Sequence, residues 1–289
     1  MRLFEVNDDS ATVEVLDVSV GPHHPVRVMG VINLSPESFY KASIAASEED
    51  ARSTILVMLR HGADMIDIGG ASTSPKNTYN RDDVSTDEEK RRVVEFLRTF
   101  RDEFKTVPIS VDTSSADIAR EAIALGASLI NDVSGLQGDK DMAKVVADSD
   151  VPVILMANCG VDCPGVDMIL TSLRKSLDIA SDAGIPPNRI ILDPGIGFGK
   201  TAELDLSILR NLRLFTYLGR PLLVGVSRKA FIGRVLERPD PRNRLAGSLA
   251  ATTIAVYNGA SIIRTHDVEE TIDAIRIGEA IRGTRLPIE

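Results

Sequence analysis

The fold is decided by a short apolar stretch that ends in a carboxylate, Arg189-Ile190-Ile191-Leu192-Asp193. Its three apolar residues are consecutive, whereas a strand with one face in water alternates apolar and polar residues. The stretch Leu222-Leu223-Val224 has the same character. Such runs are typical of parallel strands covered on both faces, so the sequence predicts a parallel sheet buried between helices.

Eight β-rich runs recur along the chain, each followed by a helical pattern. They lie at Val26 to Leu34, Met65 to Gly69, Pro108 to Asp112, Leu129 to Val133, Pro152 to Met156, Arg189 to Asp193, Pro221 to Val226 and Ala260 to Thr265. Their starts are roughly 33 residues apart on average, which is the size of one βα unit. Eight units favour an α/β fold of the closed (β/α)8 TIM barrel type. An open doubly wound sheet is the alternative.

Helical patterns fill the intervals between the predicted strands. The first opens at Ser47, in a capping-box-like cluster with Glu49 and Asp50, and closes at His61-Gly62. The others are predicted at 88–104, 115–125, 139–148, 166–183, 202–217, 244–258 and 268–283. Residues 12–18 alternate weakly and predict a short N-terminal β-hairpin that closes the N-terminal end of the barrel. No linker interrupts the pattern, so we predict a single domain over residues 1–289.

The composition excludes several classes of protein. The 289 residues are 43% hydrophobic and 26% charged, which is ordinary for a globular chain and excludes a disordered or fibrous one. No run approaches the ~20 apolar residues of a membrane span, and residues 1–10 are acidic where a signal peptide is basic. The net charge of -9 argues against a general nucleic-acid surface. We therefore expect a soluble, cytoplasmic enzyme with no nucleic-acid or membrane partner.

Neither the glycine-rich stretch nor the cysteine pair matches a known ligand motif. The glycines of residues 195–199 have the wrong spacing for a dinucleotide fingerprint, and Pro194 stands where a phosphate-binding loop needs its first glycine. We interpret these glycines as allowing the backbone to pack closely around a flat ligand. Cys159 and Cys163 lack the second pair or the neighbouring histidines of a zinc site. They cannot form a disulfide framework, and we interpret them as incidental residues of a protein in a reducing compartment.

Polar side chains end seven of the eight predicted strands, where barrels of this type carry their sites. They are Asn33, Asp67, Asp112, Asn131 with Asp132, Asp193, Ser227 to Lys229, and Arg264 to Asp267. A single aspartate at a strand end is most often the N-cap of the next helix. Taken alone, Asp67, Asp132 and Asp267 are interpreted in that way.

Four of these side chains, Asp112, Asn131, Asp193 and Lys229, are predicted to converge on one cavity. Carboxylate and amide groups accept hydrogen bonds from a donor-rich heterocycle, and an ammonium group donates to the acceptors of the same ring. The sequence therefore predicts a pocket for a polar, flat ligand at the carboxyl end of the barrel.

Basic residues end the last two predicted strands: Arg228, Lys229, Arg264 and His266. Adjacent strands would place them side by side at the barrel mouth, where barrels often bind phosphate. They therefore predict a concentrated anion site on an otherwise acidic protein. In the alternative, Arg228 and Arg264 pair with neighbouring helix-capping carboxylates.

Five motifs follow one another in a recognisable order. They are Met29 to Phe39, Gly62 to Pro75, Asp193 to Thr201, Ser227 to Lys229, and Arg264 to Val268. In this order, and along nearly its whole length, the chain resembles the dihydropteroate synthase family. The resemblance implies a (β/α)8 barrel, usually a homodimer, that joins 6-hydroxymethyl-7,8-dihydropterin pyrophosphate to p-aminobenzoate. Pyrophosphate is released with the assistance of Mg²⁺.

The resemblance also implies a pterin site. Asp112, Asn131, Asp193 and Lys229 would bind the pterin, with Asp193 in a two-point contact to its amidine-like edge. The candidate catalytic residues are Lys229, Asp112, Arg264 and His266.

The resemblance further implies sites for the metal, the leaving group and the acceptor. Asn33 would meet Mg²⁺ and the pyrophosphate, with help from Arg264 and His266. Near the acceptor amine and the departing anion would lie Thr73, Ser227 and Arg228. Phe198 and Gly225 complete the substrate-binding set.

Three segments depart from the family pattern. Ala71 and Ser74 replace an acidic residue and an arginine, Tyr40-Lys41-Ala42-Ser43 replaces an Asp-Gly-Gly, and Ala157-Asn158-Cys159 replaces a His-Met pair. The loops at 40–43 and 71–74, after the first two strands, shape the acceptor pocket in the family. Their changes allow a second acceptor, 4-(ribofuranosyl)aminobenzene 5'-phosphate, as in the archaeal branch of methanopterin biosynthesis. Lys41 or Lys76 would then meet its phosphate. A further alternative is a non-synthase pterin-binding protein or a corrinoid-linked methyltransferase.

Overall fold

A computed structural model of the chain describes residues 11–34, 47–71, 84–160 and 163–284. Eight parallel strands form one sheet: β3 (Arg27–Asn33), β4 (Met65–Gly69), β5 (Ile109–Asp112), β6 (Leu129–Asp132), β7 (Val153–Met156), β8 (Ile190–Asp193), β9 (Leu223–Gly225) and β10 (Ile262–Thr265). Their order is β8-β7-β6-β5-β4-β3-β10-β9. A parallel bridge between Leu192 and Leu222 joins the two edge strands. The sheet is therefore a nearly closed barrel, as predicted, and the open-sheet alternative is wrong.

An antiparallel hairpin precedes the barrel, with strands β1 (Val13–Val15) and β2 (Val18–Val20). Its side chains Val13, Val15 and Val20 are completely buried. They pack against the first inward-facing residues of seven barrel strands: Met29, Met65, Leu129, Ile154, Ile191, Leu223 and Ile262. The predicted hairpin is confirmed, and it plugs the N-terminal end of the barrel.

Ten α-helices lie within the described residues. They are α1 (Glu48–Arg60), α2 (Thr86–Phe100), α3 (Ala116–Ala124), α4 (Met142–Ala147), α5 (Val166–Asp182), α6 (Ala202–Arg210), α7 (Arg213–Thr216), α8 (Ala230–Val235), α9 (Leu245–Tyr257) and α10 (Val268–Arg282). The predicted cap is confirmed, because the Ser47 hydroxyl accepts from the Asp50 amide at 3.1 Å. No helix of these residues is long and apolar enough to cross a membrane.

Two helices differ from their predictions. The helix predicted at 202–217 breaks at Asn211, whose side-chain amide donates to the Ser207 carbonyl at 2.8 Å and so satisfies a carbonyl at the helix end. The six-residue helix α8 was not predicted, because so short a segment shows no helical period. It begins directly after Lys229, so the helix fixes the backbone position of that residue.

Alternation along the strands divides the barrel interior into two layers. Successive side chains of a strand point to opposite faces of the sheet. The residue two positions after each of the seven strand residues that contact the hairpin therefore also points into the barrel. In that second layer lie Val31, Asp67, Asn131, Met156, Asp193, Gly225 and Arg264. The base of the barrel is thus apolar, while most of the layer near the carboxyl ends of the strands is polar.

Candidate active site

The centre of the polar layer is Asp67, a residue that the sequence assigned to a helix cap. Its carboxylate is fully buried and accepts from the Ser110 hydroxyl at 2.6 Å, the Asn131 amide at 3.1 Å and Arg264 Nε at 2.7 Å. The N-cap interpretation of Asp67 is therefore wrong. Sequence reasoning missed both Asp67 and Ser110 as parts of the site, although an aspartate inside a buried strand requires a partner.

Arg264 joins this centre to Asp112. Its Nη2 lies 3.2 Å from Asp112 Oδ2, so one guanidinium bridges two buried carboxylates. Burial opposes the charge, but Asp67 and then Asp112 raise the pKa of Arg264 above its ordinary value. The alternative in which Arg264 pairs with a helix-capping carboxylate is wrong, because both partners lie on strands.

Asn131 is oriented by the same centre. Its side-chain nitrogen donates to Asp67, which leaves the buried Oδ1 without a hydrogen-bond partner among the described residues. A buried acceptor of this kind is costly unless a ligand donates to it. The geometry favours a ligand with N–H donors at this point.

Asp193 and Lys229 form the second half of the pocket. Asp193 Oδ1 accepts from the Gly195 amide at 2.7 Å; burial raises the pKa of this carboxyl, and Lys229 is the strongest of the cations that oppose the shift. Lys229 Nζ donates to the Ile196 carbonyl and lies 4.7 Å from the ring centroid of Phe198. Burial lowers the pKa of Lys229 to about 8.

Gly225 lies where the two halves of the pocket meet. A Cβ on Gly225 would lie 3.7 Å from both Arg264 Cβ and Lys229 Nζ. Arg264 also interacts electrostatically with Asp193 and Lys229. The structure thus brings the four side chains predicted to converge, Asp112, Asn131, Asp193 and Lys229, around one guanidinium.

Arg228 is not part of a cluster of four cations at the barrel mouth, as the sequence predicts, because it is paired with a carboxylate. This guanidinium binds both oxygens of Asp267, at 2.8 and 2.6 Å, and donates to the carbonyls of Pro241 and Arg242. It is 6% exposed, and its backbone has a left-handed φ of 55°. Asp267 is the N-cap residue of α10, so the alternative names the partner of Arg228 correctly, although the Asp267 carboxylate makes no capping hydrogen bond and binds the guanidinium instead.

His266 is likewise not a cation. Burial, with the charges of Arg264, Arg228 and Lys229, lowers the pKa of His266 to about 3, so the ring is neutral at pH 7. Its Nδ1 lies 2.9 Å from the Ser227 hydroxyl. The same hydroxyl accepts from the His266 amide at 3.3 Å and lies 3.5 Å from Asp267 Oδ2, so Ser227 holds the ring next to the start of α10. His266 therefore contributes a neutral ring, and not a positive charge, to this end of the barrel.

The remaining candidates lie at the first two strand ends. A Cβ on Gly69 would be 3.9 Å from Asn33 Oδ1 and 3.8 Å from Asp112 Cβ, so the Asn33 amide lies beside the polar layer. Thr73 lies outside the described residues, as do Lys41, Lys76 and most of the two variant loops. Among the described side chains, no three of His, Cys, Asp or Glu are grouped so as to hold a metal ion.

The two cysteines require a correction. Cys159 and Cys163 are joined as a disulfide in the connection between β7 and α5. The interpretation of them as incidental residues is therefore wrong for this structure. A spacing of four residues in a loop gives no signal by which sequence reasoning could have found the pair.

Comparisons with known proteins point to one family. The family model described as pterin binding enzyme matches residues 29–266. The dihydropteroate synthase of Clostridium beijerinckii is 40% identical over 257 residues, which cover 88% of this chain and 93% of that protein. The dihydropteroate synthase of Synechocystis is 38% identical over 263 residues, which cover 88% and 89%.

Solved structures agree with these relatives. The dihydropteroate synthase of Yersinia pestis with a sulfonamide drug is 35% identical, with a TM-score of 0.84 over 95% of this chain and 100% of that one. The Xanthomonas albilineans dihydropteroate synthase with 4-aminobenzoic acid is 36% identical, with a TM-score of 0.83 over 94% and 98%.

Proposed function

The chain belongs to the dihydropteroate synthase family of pterin-binding enzymes, and from that premise we propose that it joins 6-hydroxymethyl-7,8-dihydropterin pyrophosphate to p-aminobenzoate. It is a transferase that releases pyrophosphate. The observation that supports this function most strongly is the buried polar layer, in which Arg264 bridges Asp67 and Asp112 beside an acceptor oxygen of Asn131. A flat heterocycle with donors on one edge and acceptors on another matches that layer.

Each side chain has a role in holding the pterin. Asn131 and Asp193 accept hydrogen bonds from its ring donors, and protonated Lys229 donates to its acceptors. Arg264 holds Asp112 in place through the 3.2 Å contact between its Nη2 and Asp112 Oδ2.

The reaction is a displacement at the pterin methylene. The bond from that carbon to the pyrophosphate oxygen breaks, and its electron pair leaves with the anion. The lone pair of the arylamine nitrogen forms the new C–N bond, and the nitrogen then loses one proton to water. Because positive charge develops at carbon and negative charge on the leaving group, the chain contributes positioning and electrostatic stabilisation and no covalent nucleophile. Lys229 and Arg264 supply the positive charge near the leaving group, and the neutral ring of His266 lies beside them.

Mg²⁺ is part of the proposal. Magnesium prefers oxygen ligands and keeps several waters beside substrate phosphates, and the amide oxygen of Asn33 would supply one neutral protein oxygen to it. When bound, the ion would neutralise charge on the leaving pyrophosphate. Asn33 would hold it at the end of β3, beside Asp112.

The acceptor is testable directly. We expect pyrophosphate release when the chain is given the pterin pyrophosphate, Mg²⁺ and p-aminobenzoate, because the relatives are dihydropteroate synthases and one was solved with 4-aminobenzoic acid. The ribosylated phosphate, the methanopterin alternative, is not favoured by these relatives and serves as the second substrate of the assay. If neither amine supports turnover, the synthase function is wrong. Calorimetry with pyrophosphate then tests the methyltransferase alternative, which needs no pyrophosphate site.

Asp193→Asn is expected to weaken pterin binding. It removes the charged half of the contact to the ring, which is worth about 1.5–3 kcal/mol for a hydrogen bond to a charged group. The matched control is Asp132→Asn, at the end of β6, whose carboxylate accepts from Ser134 and Leu136 of its own turn at 2.6–2.8 Å. Titration calorimetry with 6-hydroxymethylpterin should separate the two variants. Equal affinity in both would show that Asp193 only orders its loop.

We also propose that the protein is a homodimer. Helices α6, α8 and α9 carry exposed apolar side chains on one face, among them Val235, Ile254 and Tyr257. A contiguous patch of this kind marks an interface more often than a free surface, and a second copy of the chain would cover it.

Ile254→Arg is expected to convert the dimer to a monomer. A charge in the centre of the apolar face would lie unpaired in the interface, whereas Met168→Arg puts the same charge at an exposed position of α5. Light scattering on the eluted protein gives the mass. If the Ile254→Arg variant is still a dimer, the interface lies elsewhere. If the wild type is a monomer, the homodimer proposal is wrong.

A further inference from the structure

We propose that Asp205, on α6, is a positioning residue for Lys229 and acts through the glycine loop of residues 195–199. The proposal rests on the proposed function, since it assigns Asp205 a part in pterin binding. Asp205 is not among the residues that the family resemblance assigns to substrate.

The loop lies directly between the two side chains. On one side, Asp205 Oδ1 accepts from the Gly197 amide at 2.7 Å, and the Asp205 residue is only 2% exposed. On the other side, a Cβ on Gly197 would lie 2.5 Å from Lys229 Cδ. Gly197 has a φ of 77°, a conformation that glycine adopts without strain. The backbone of this one residue therefore separates the Asp205 carboxylate from the Lys229 stem.

The neighbouring peptide groups are fixed as well. Lys200 Nζ donates to the Gly195 carbonyl at 2.7 Å, and Lys229 itself donates to the carbonyl of Ile196. Three consecutive residues of the loop, 195–197, thus have a polar backbone group bound to a charged side chain. Because Lys229 binds one of these groups and packs against the next, any shift of the loop moves its ammonium relative to the pterin.

Asp205 also acts on Lys229 through its charge. The charged groups that interact with Lys229 are Asp193 on β8, Asp205 on α6, Lys200 after the loop and Arg264 on β10; the neutral His266 lies on the same side as Arg264. The two acids raise the pKa of Lys229, while burial and the two bases lower it. Removing the negative charge of Asp205 is therefore expected to lower that pKa further.

The test begins without substrate. Protein labelled with ¹³Cε lysine is titrated by NMR, and the Lys229 resonance is assigned by its absence from a Lys229→Arg variant. Asp205→Asn keeps an acceptor for the Gly197 amide but removes the charge, so the midpoint of Lys229 should fall by about 0.5 pH unit or more. Lys200→Met removes a positive neighbour and should move the midpoint upward, which keeps the test decisive if one variant does not fold.

A matched control exists at the opposite end of the barrel. Glu279 is also a buried helix carboxylate that accepts a backbone amide, from Val26 at 2.8 Å, but it lies beside the N-terminal end of β3. Glu279→Gln should leave the Lys229 midpoint unchanged. If Asp205→Asn leaves it unchanged too, the proposal is overturned.

Kinetics give the second readout. Asp205→Ala is expected to raise KM for the pterin pyrophosphate about 10-fold and to leave KM for the arylamine unchanged, with Asp205→Asn in between because it retains the acceptor. A purely structural role would lower the active fraction, hence kcat, with both KM values unchanged. Absence of turnover in the wild type would refute the proposed function alone, because the lysine titration needs no substrate.

Discussion

Arg264→Met is expected to lower the free energy of unfolding by about 3–5 kcal/mol, the cost of removing one partner from a buried ion pair. Asp67 is fully buried and Asp112 is 4% exposed, so neither carboxylate can recover its lost partner from water. In the variant Asp67 keeps only the neutral donors Ser110 and Asn131, or solvent must enter the barrel. Urea unfolding followed by circular dichroism measures the change.

A second arginine provides the control for this loss. Arg27 pairs with Asp64 at 3.4 Å, and both side chains are about a quarter exposed, at 22% and 26%. Arg27→Met should therefore cost no more than about 1 kcal/mol from its ion pair. Adding Asp67→Asn to the Arg264→Met variant should recover part of the lost stability, since it removes an unpaired charge. If Arg264→Met lowers the free energy of unfolding no more than Arg27→Met does, the contact of Arg264 with the two buried carboxylates does not stabilise the fold.

Lys229→Ala is expected to lower kcat/KM by about 100-fold or more, the scale of losing one preorganised electrostatic contact in a dry site. The loss includes both the contact to the pterin and the positive charge near the leaving group. Lys144→Ala removes an exposed lysine from α4 and should change nothing. Steady-state kinetics with p-aminobenzoate measures both variants, and wild-type turnover in Lys229→Ala would remove this residue from the site.

The same residue predicts a pH dependence. The pKa of Lys229 is lowered by burial to about 8, and the proposed pterin contact requires the protonated form. As pH rises through about 8 the proton is lost, so kcat/KM should decline on the alkaline side. Lys229→Ala should lack this decline, because the group that titrates is gone.

Much of the barrel was predictable because strand periodicity is local. Runs such as Ile190–Asp193 identify a covered strand, and the same period places Asp193 inward with Ile191. The period also separates Asn131, which points to the site, from Asp132, which binds its own turn. The single domain and the cytoplasmic location remain predictions.

The errors share one physical origin. The sequence predicts a helix cap at Asp67, an anion ligand at Arg228 and a cation at His266, whereas the structure has two buried ion pairs and a neutral ring. What such a side chain does is set by partners that are distant in sequence. Asp205 was missed for the same reason, because nothing near it in the chain shows that it lies under the loop that supports Lys229.

The sequence by itself therefore determined the eight βα units, the hairpin that plugs them and the polar character of the strand ends, because hydropathy and spacing record which faces are buried. Only the tertiary structure decided which charges meet. Arg264 reaches Asp67 across 197 residues and Arg228 reaches Asp267 across 39. Pairing and desolvation depend on distances that closing the barrel creates, and those distances set whether a strand-end side chain faces a ligand or stabilises its neighbour.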